Sequence, residues 1–406
     1  MLDLAEERAI LDRRSFIQRA GAAAILPTAS GSATPPRYPV IPRALVLSGG
    51  GALGAYEAGI VEGLVAADGV RDGQPLRNYG LVAGTSIGAI NGWFVATGQY
   101  HALRDVWEGI AGEDILQLKP RFAKLAQSSS GVGSRVAAAV RLALGLFKDE
   151  RAVAETAPVL AWLRRRIDPR TPLLIPLVWA VTNLTTQRPE YFYRLPPQFD
   201  VAPTQEVLAA LHVTLGPAAV LREATDDILH LALFASTSIP IVFDPISIPG
   251  SADAHALFSD GGVASNSPVA IAHTLAQAID VVLLDPPLET PKYGNALEIA
   301  LGAFQTMQRK IVEAEMRDVY FQGLAKRAFE RAGTESVRTL AGGSQTLESF
   351  LRYIPASTLA YVRPEATLPV EVASFDDREG IAQTLAIGRA DAARGFTPYS
   401  WDTFAF

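Results

Sequence analysis

Cysteine is absent from the 406-residue chain. Disulfides, thiolate zinc sites and cysteine nucleophiles are therefore excluded together. Histidine is scarce, the full set of five being His101, His212, His230, His255 and His273. Neither they nor the aspartates cluster at metal-ligand spacing, so no metal and no cofactor are expected. A basic excess is also missing, because 36 Lys and Arg stand against 42 Asp and Glu for a net charge of -6. Without a basic field, nucleic acid is not an expected partner. No uninterrupted apolar stretch reaches the ~20 residues needed to span a bilayer. Internal repeats and coiled-coil heptads are lacking too, which excludes solenoids and long coiled coils.

What the chain does hold is core material, with 49% hydrophobic and 19% charged residues, a globular mixture. Its length admits several average domains or one large α/β domain with insertions. Near the N-terminus, Asp12-Arg13-Arg14-Ser15-Phe16-Ile17-Gln18 precedes a mildly apolar run, Ala20 to Leu26, and small residues to Ala33. This order resembles a twin-arginine export signal. Export to the periplasm or the exterior is the expectation, and a cytoplasmic protein starting with an amphipathic helix is the alternative. Pro35 to Pro42 reads as a linker, so residues 1–42 are assigned to signal and linker.

Structure begins with the strand-like Ala44-Leu45-Val46-Leu47, ended by Ser48-Gly49-Gly50-Gly51 and followed by a helix with Tyr56, Ile60, Gly63 and Leu64 on one face and Glu57 and Glu62 elsewhere. A second unit runs from Tyr79 to Ala83, through a serine turn, into a helix from Ile87 to about Thr97. Two parallel strands thus deliver two glycine turns at their C-terminal ends, where α/β sheets bind ligands. Residues 99–171 read as a helical insertion. Strands are expected at Pro176 to Asn183, Glu190 to Leu195, Phe243 to Ile248 and Asp280 to Asp285, and helices at Ile228 to Ser236 and Pro268 to Gln277. A long helix from about Ala296 to Arg331 and a last one from Arg378 to Arg394 complete the reading. The segments Leu116 to Trp162 and Gln305 to Phe329 are candidates for substrate lids or a membrane-facing surface, and equally for helices that cover the sheet.

Gly84-Thr85-Ser86-Ile87-Gly88 between strand and helix has the spacing of a nucleophile elbow, in which small flanking residues let a serine stand out from a tight turn. A serine hydroxyl needs a base and oxyanion donors. Gly49-Gly50-Gly51-Ala52-Leu53-Gly54 offers consecutive backbone N–H groups before a helix. No GK[ST] follows, which argues against a P-loop, and the spacing GGGxxG differs from the dinucleotide fingerprint. Asp260-Gly261-Gly262 closes a short apolar run and presents a carboxylate at the same sheet edge. In the chain order of an α/β-hydrolase triad only His273 could join Ser86 and Asp260, and a core role within its helix is the competing reading.

Four ordered motifs resemble those of the patatin-like phospholipase family: the Gly49 to Gly54 turn, Gly84 to Gly88, Ala235-Ser236-Thr237-Ser238-Ile239-Pro240 with Phe243 and Pro245, and Asp260-Gly261-Gly262 with Asn266 and Pro268. The resemblance covers roughly Arg43 to Asp285, with Thr182 to Thr186 matching the strand and turn between elbow and aspartate. It implies a three-layer α/β/α patatin-like fold with a mostly parallel central sheet and helical insertion, in a catalytic domain of residues 43–290. Residues 291–406 are expected as a mainly helical extension packed on it. It also implies Ser86 as nucleophile, Asp260 as base, Gly49, Gly50 and Gly51 as the oxyanion region, and Gly54, Gly84, Gly88, Gly261 and Gly262 as supports. The implied activity is phospholipase A or lysophospholipase chemistry on a lipid acyl ester, with peripheral membrane contact. A general carboxylesterase and a non-catalytic lipid-binding protein are the alternatives. Leu53 departs from the Arg or Lys that many members carry, which leaves no basic group there to favour an anionic head group.

Overall fold

The computed structural model describes residues 41–125, 151–197, 210–212, 214–216, 219–251, 253–285, 296–332 and 356–404. The twin-arginine-like segment lies outside these residues. In chain order the elements are β1 (Ile41–Leu47), α1 (Gly54–Asp68), β2 (Leu81–Thr85), α2 (Ile87–Thr97), α3 (Tyr100–Gly109), α4 (Gly112–Ile115), α5 (Pro120–Leu125) and α6 (Thr156–Arg166). They continue with β3 (Leu177–Asn183), β4 (Arg188–Arg194), β5 (Leu221–Glu223), α7 (Leu229–Thr237), β6 (Phe258–Asp260), α8 (Val269–Leu275), β7 (Ala276–Val282), α9 (Ala296–Ala332), β8 (Thr358–Val362), α10 (Arg378–Arg394) and β9 (Thr397–Pro398).

The strands form one sheet in the order β5-β4-β3-β2-β1-β7-β8-β9, with β6 set against β3. Its centre, from β3 through β2, β1 and β7 to β8, is parallel. Antiparallel pairs occur between β3 and β4, β3 and β6, and β8 and β9. Central strands buried on both faces explain the near-continuous apolar runs in the sequence. The alternation of the pleat divides them between two cores. Leu45 and Leu47 of β1, Val82 of β2, and Leu177, Trp179 and Val181 of β3 face the layer built by α1, α2, α3, α6, α7 and α10. Ala44, Val46, Leu81, Ala83, Val178 and Ala180 face α8 and α9 on the other side. The architecture is therefore three-layered, α/β/α.

Three local expectations change. Phe243 to Ile248 is not a strand: Ile246 makes a single bridge to Phe258. Pro245 and Pro249, which lack an N–H, break any longer ladder there. The helix at 269 ends at Leu275, because Ala276 already pairs with Ile41 of β1. Glu57, read from its spacing as lying off the packed face of α1, is fully buried. The C-terminal segment also contributes more than helices, since β8 pairs in parallel with β7 and extends the central sheet. Its helix α10 crosses α1 where glycines remove the side chains: a Cβ on Gly388 would stand 2.1 Å from Tyr56 O, and one on Gly59 would stand 2.2 Å from Leu385 O. The buried Tyr56 hydroxyl then donates to Asp391 at 2.7 Å across the same crossing.

Within the helical segment after residue 99, α3 buries Leu103, Val106 and Trp107, and α6 buries Val159, Trp162 and Leu163. Helix α9 covers the sheet with Val312, Met316 and Val319 and leaves Met307, Phe321 and Leu324 exposed. Among the described residues no helix is long and apolar enough to cross a membrane.

Candidate active site

Because β1, β2 and β3 are parallel, the turns after β1 and β2 open on one edge of the sheet. Ser86 sits in the turn between β2 and α2 with φ 55 and ψ -125, a left-handed backbone that few non-glycine residues adopt. The glycines two before and two after it are required by close approach. A Cβ on Gly84 would lie 2.4 Å from Gly88 O, and one on Gly88 would lie 2.4 Å from Leu47 O. The strained turn is held from outside: Ser236 of α7 accepts from Ser86 N at 2.8 Å and donates to Ala180 O at 2.7 Å. Ser236 thus spans the gap between the elbow and β3. Ser236 lies in a sequence motif that assigns it no role, because the acceptor it supplies exists only once α7 packs on β3.

Asp260 reaches the same place through the sheet register. On β3, Thr85 pairs with Ala180 and Asp260 pairs with Val181, so β6 continues the slot that β2 vacates. Successive positions in a strand rise only about 3.3 Å, which sets the end of β6 beside the end of β2. Ser86 Oγ donates to Asp260 Oδ2 at 2.7 Å, and Gly262 N donates to Oδ1 at 2.7 Å. The main chain of Asp260 is fixed as well, its N–H donating to Ser238 O at 2.9 Å and its carbonyl accepting from Thr182 Oγ1 at 2.8 Å. Burial pushes the Asp260 carboxyl up to about 7, outweighing the bonds from Ser86 and Gly262 that favour its charge. It is therefore a carboxylate poised to exchange a proton near neutrality.

The glycine turn divides into engaged and free donors. Gly49 N donates to Asn266 O at 2.9 Å, so this amide, grouped with the oxyanion donors from the sequence, is already occupied. Among the described residues, no acceptor takes the N–H of Gly50 or Gly51. Gly51 has φ 57, and a Cβ there would lie 2.2 Å from Val372 O. Gly54 opens α1 against Ile87 and Trp107, and a Cβ on Gly261 would stand 2.4 Å from Ala180 O. At the start of α2 the Ala89 amide donates to Ser86 O at 3.0 Å, and the helix dipole adds positive potential behind Ser86.

Beneath the glycine turn lies a buried polar group that the sequence did not reveal. Asn91 Nδ2 donates to Glu57 Oε2 at 2.9 Å and Gly54 O at 3.0 Å, while Trp107 Nε1 donates to Asn91 Oδ1 at 3.0 Å. Burial holds the Glu57 carboxyl well above the usual carboxylate range. A helical spacing pattern cannot flag such a residue, because its partner comes from another helix.

His273 is elsewhere. It is fully buried and bonded through Nδ1 to Ser357 Oγ at 2.8 Å. Ser357 Oγ donates to Ala276 O at 2.6 Å, so the imidazole is the donor in the first bond. Burial lowers its pKa to about 4, keeping it neutral. Among the described residues no histidine hydrogen-bonds Ser86 or Asp260. No group of three or more metal-ligating side chains that could hold an ion occurs among the described residues either.

The family model for patatin-like phospholipase matches residues 45–273, over half of the chain. No curated protein matches it. Among solved structures, the crystal structure of VipD from Legionella pneumophila is similar at 13% identity, over 88% of this chain, with a TM-score of 0.35. The chain covers 66% of that protein, just under two thirds of its length.

Proposed function

The chain belongs to the patatin-like phospholipase family, and on that premise we propose that it is a serine hydrolase of lipid acyl esters working with Ser86 and Asp260 alone. The observation that carries this reading is the 2.7 Å hydrogen bond from Ser86 Oγ to Asp260 Oδ2 within a buried, strained turn. Ser86 Oγ attacks the acyl carbonyl carbon as its proton passes to Asp260 Oδ2. The carbonyl oxygen becomes an oxyanion, which the Gly50 and Gly51 amides are placed to receive in the reading offered here. Collapse expels the alcohol portion of the lipid, which takes the proton from Asp260 and leaves an acyl ester on Ser86. Water then attacks this ester, its proton going to Asp260. Collapse of the second intermediate returns that proton to Ser86 Oγ and releases the fatty acid.

A carboxylate of ordinary pKa would be a feeble base; one raised to about 7 is far better matched to a neutral solution. The unoccupied Gly50 and Gly51 amides support the oxyanion role, and the occupied Gly49 amide supports assigning it to anchorage instead. The twin-arginine-like run at Arg13 and Arg14 supports export of the folded protein, in contact with membrane lipid as a peripheral enzyme.

The deciding experiment is labelling of the purified chain with a serine-reactive fluorophosphonate, followed by a panel of phospholipids, lysophospholipids and simple esters read by released acid. Adduct formation at Ser86 with release from lipid substrates is the expected result. Labelling with release from simple esters only would indicate a carboxylesterase, and no labelling would indicate a lipid-binding protein that keeps the fold.

A further inference from the structure

The three residues Ser265, Asn266 and Ser267 fasten both halves of the site. Thr85 Oγ1, on the residue before the nucleophile, donates to Ser265 O at 2.9 Å. Asn266 O holds Gly49 N at 2.9 Å, and Asn266 Nδ2 reaches Gly49 O at 3.3 Å. Ser267 Oγ and Ser48 Oγ share a 2.5 Å hydrogen bond, and Ser48 Oγ donates onward to Val282 O at 2.7 Å. This segment therefore sets the distance between the serine turn and the glycine turn. Gly261 O accepts from Ser265 N at 2.8 Å, and a second hold on the segment comes from outside the stretch that the family model matches. Ser265 Oγ donates to Glu315 Oε1 of α9 at 2.6 Å.

We propose that Glu315 is a positioning residue for the hydrolase: it clasps Ser265 and so keeps the turn of Ser265, Asn266 and Ser267, and with it Ser86, in register with the Gly50 and Gly51 amides. The inference rests on the Ser86 and Asp260 reading. An acid at this place is costly on packing grounds alone, because its Oε2 is shut away from solvent and burial pushes the carboxyl up to about 8. Its surroundings are Tyr191 of β4, whose hydroxyl burial also raises, and Asp318 of its own helix. An apolar residue there would pack against Tyr191 without that cost. It would leave the Ser265 hydroxyl without its carboxyl acceptor and release a side-chain hydrogen bond that ties α9 to the catalytic turns. Site geometry is sensitive to such slack: a displacement of about 1 Å can lower a rate by up to about a hundredfold.

The test compares Glu315→Ala, Glu315→Gln and the wild-type full chain. For each, kcat and KM are measured on a short nitrophenyl ester, together with the second-order rate of fluorophosphonate labelling of folded protein. For Glu315→Ala, kcat and the labelling rate should fall together by about tenfold to a hundredfold. KM should stay within about twofold, because the clasp does not touch substrate. Glu315→Gln should remain within about threefold of wild type, since its amide oxygen can accept from Ser265 Oγ as the carboxyl oxygen does. Undiminished labelling of folded Glu315→Ala would overturn the proposal. Should that variant not fold, Ser265→Ala removes the clasp from the other side, and an unchanged labelling rate there would overturn it equally. A wild type inert to both probes would instead refute the hydrolase reading on which the clasp depends.

Discussion

Ser86 Oγ and Asp260 Oδ2 stand 2.7 Å apart although 174 residues separate them. Neither residue is brought there by a flexible loop. Ser86 follows Thr85, which closes β2 opposite Ala180 of β3, and Asp260 closes β6 opposite Val181, so the sheet ladder sets the spacing of the two strand ends. A site on rigid elements is held with the precision that proton transfer requires.

Removal of either partner should be decisive while removal of the histidine that a triad would require should not. Ser86→Ala and Asp260→Asn should lower kcat/KM by at least about a thousandfold. His273→Ala should leave turnover within a few-fold of wild type, because its imidazole is neutral and bonded to Ser357. Steady-state hydrolysis of a soluble ester, normalised to folded protein, checks all three. Restoration of the triad would follow if His273→Ala were the inactive one.

Activity should rise with pH through a limb near 7. Asp260 must be charged to accept the serine proton, and burial has moved its titration from 3.8 to about 7. Stability should run the other way. Between those values the unfolded chain has released a proton that the fold retains, so stability falls as pH climbs from about 4 to about 7 and the cost is complete above that. Asp260→Asn removes the cost, which is on the order of 4 kcal/mol before the weaker bond that a neutral amide oxygen accepts from Gly262 N is set against it. Urea unfolding at pH 5 and pH 9 should show the variant gaining more on wild type at pH 9 than at pH 5.

The elbow trades stability for geometry. Ser86→Gly relieves the left-handed strain at φ 55 and should raise stability by roughly 1 kcal/mol while abolishing turnover. Gly84→Ala should do the opposite to the fold, because its Cβ would meet Gly88 O at 2.4 Å, and main-chain atoms cannot swing aside as a side chain can. Thermal melts of the two variants against wild type give the comparison.

The buried trio under the glycine turn should be intolerant of its central member. Asn91→Ala would strand the Trp107 indole N–H and the Glu57 carboxyl together, at a cost of roughly 3 kcal/mol or more. Glu57→Gln keeps the acceptor and carries no charge to bury, so it should be neutral or stabilising, increasingly so at high pH. Chemical denaturation midpoints distinguish the two.

Much of this could be read before any coordinates. The apolar run at Ala44 to Leu47 predicts β1, and the run that follows the serine turn predicts α2 from Ile87 to its observed end at Thr97. Glycines at 84 and 88 around a serine predict a tight strand-to-helix turn, since no other residue permits the approach. Glu57 was misplaced for the converse reason: helical periodicity knows only one side of a helix, and Asn91 supplies a polar partner on the packed side. The strand expected at Phe243 fails because local β propensity is outweighed by Pro245 and Pro249, which cannot join a ladder.

The sequence by itself determined local events: where strands end in glycine turns, which serine stands in the tight one, and which carboxylate closes a strand at the same edge. These depend on covalent geometry and short-range sterics, which a few adjacent residues settle. The tertiary structure alone decided the pairings across the chain. It gave Gly49 N to Asn266 rather than leaving it free, put His273 against Ser357, and brought Glu315 of α9 to Ser265. It also added β8 to the central sheet. Such contacts arise from sheet register and from which helix covers which face, and those are properties of the packed whole that no local pattern encodes.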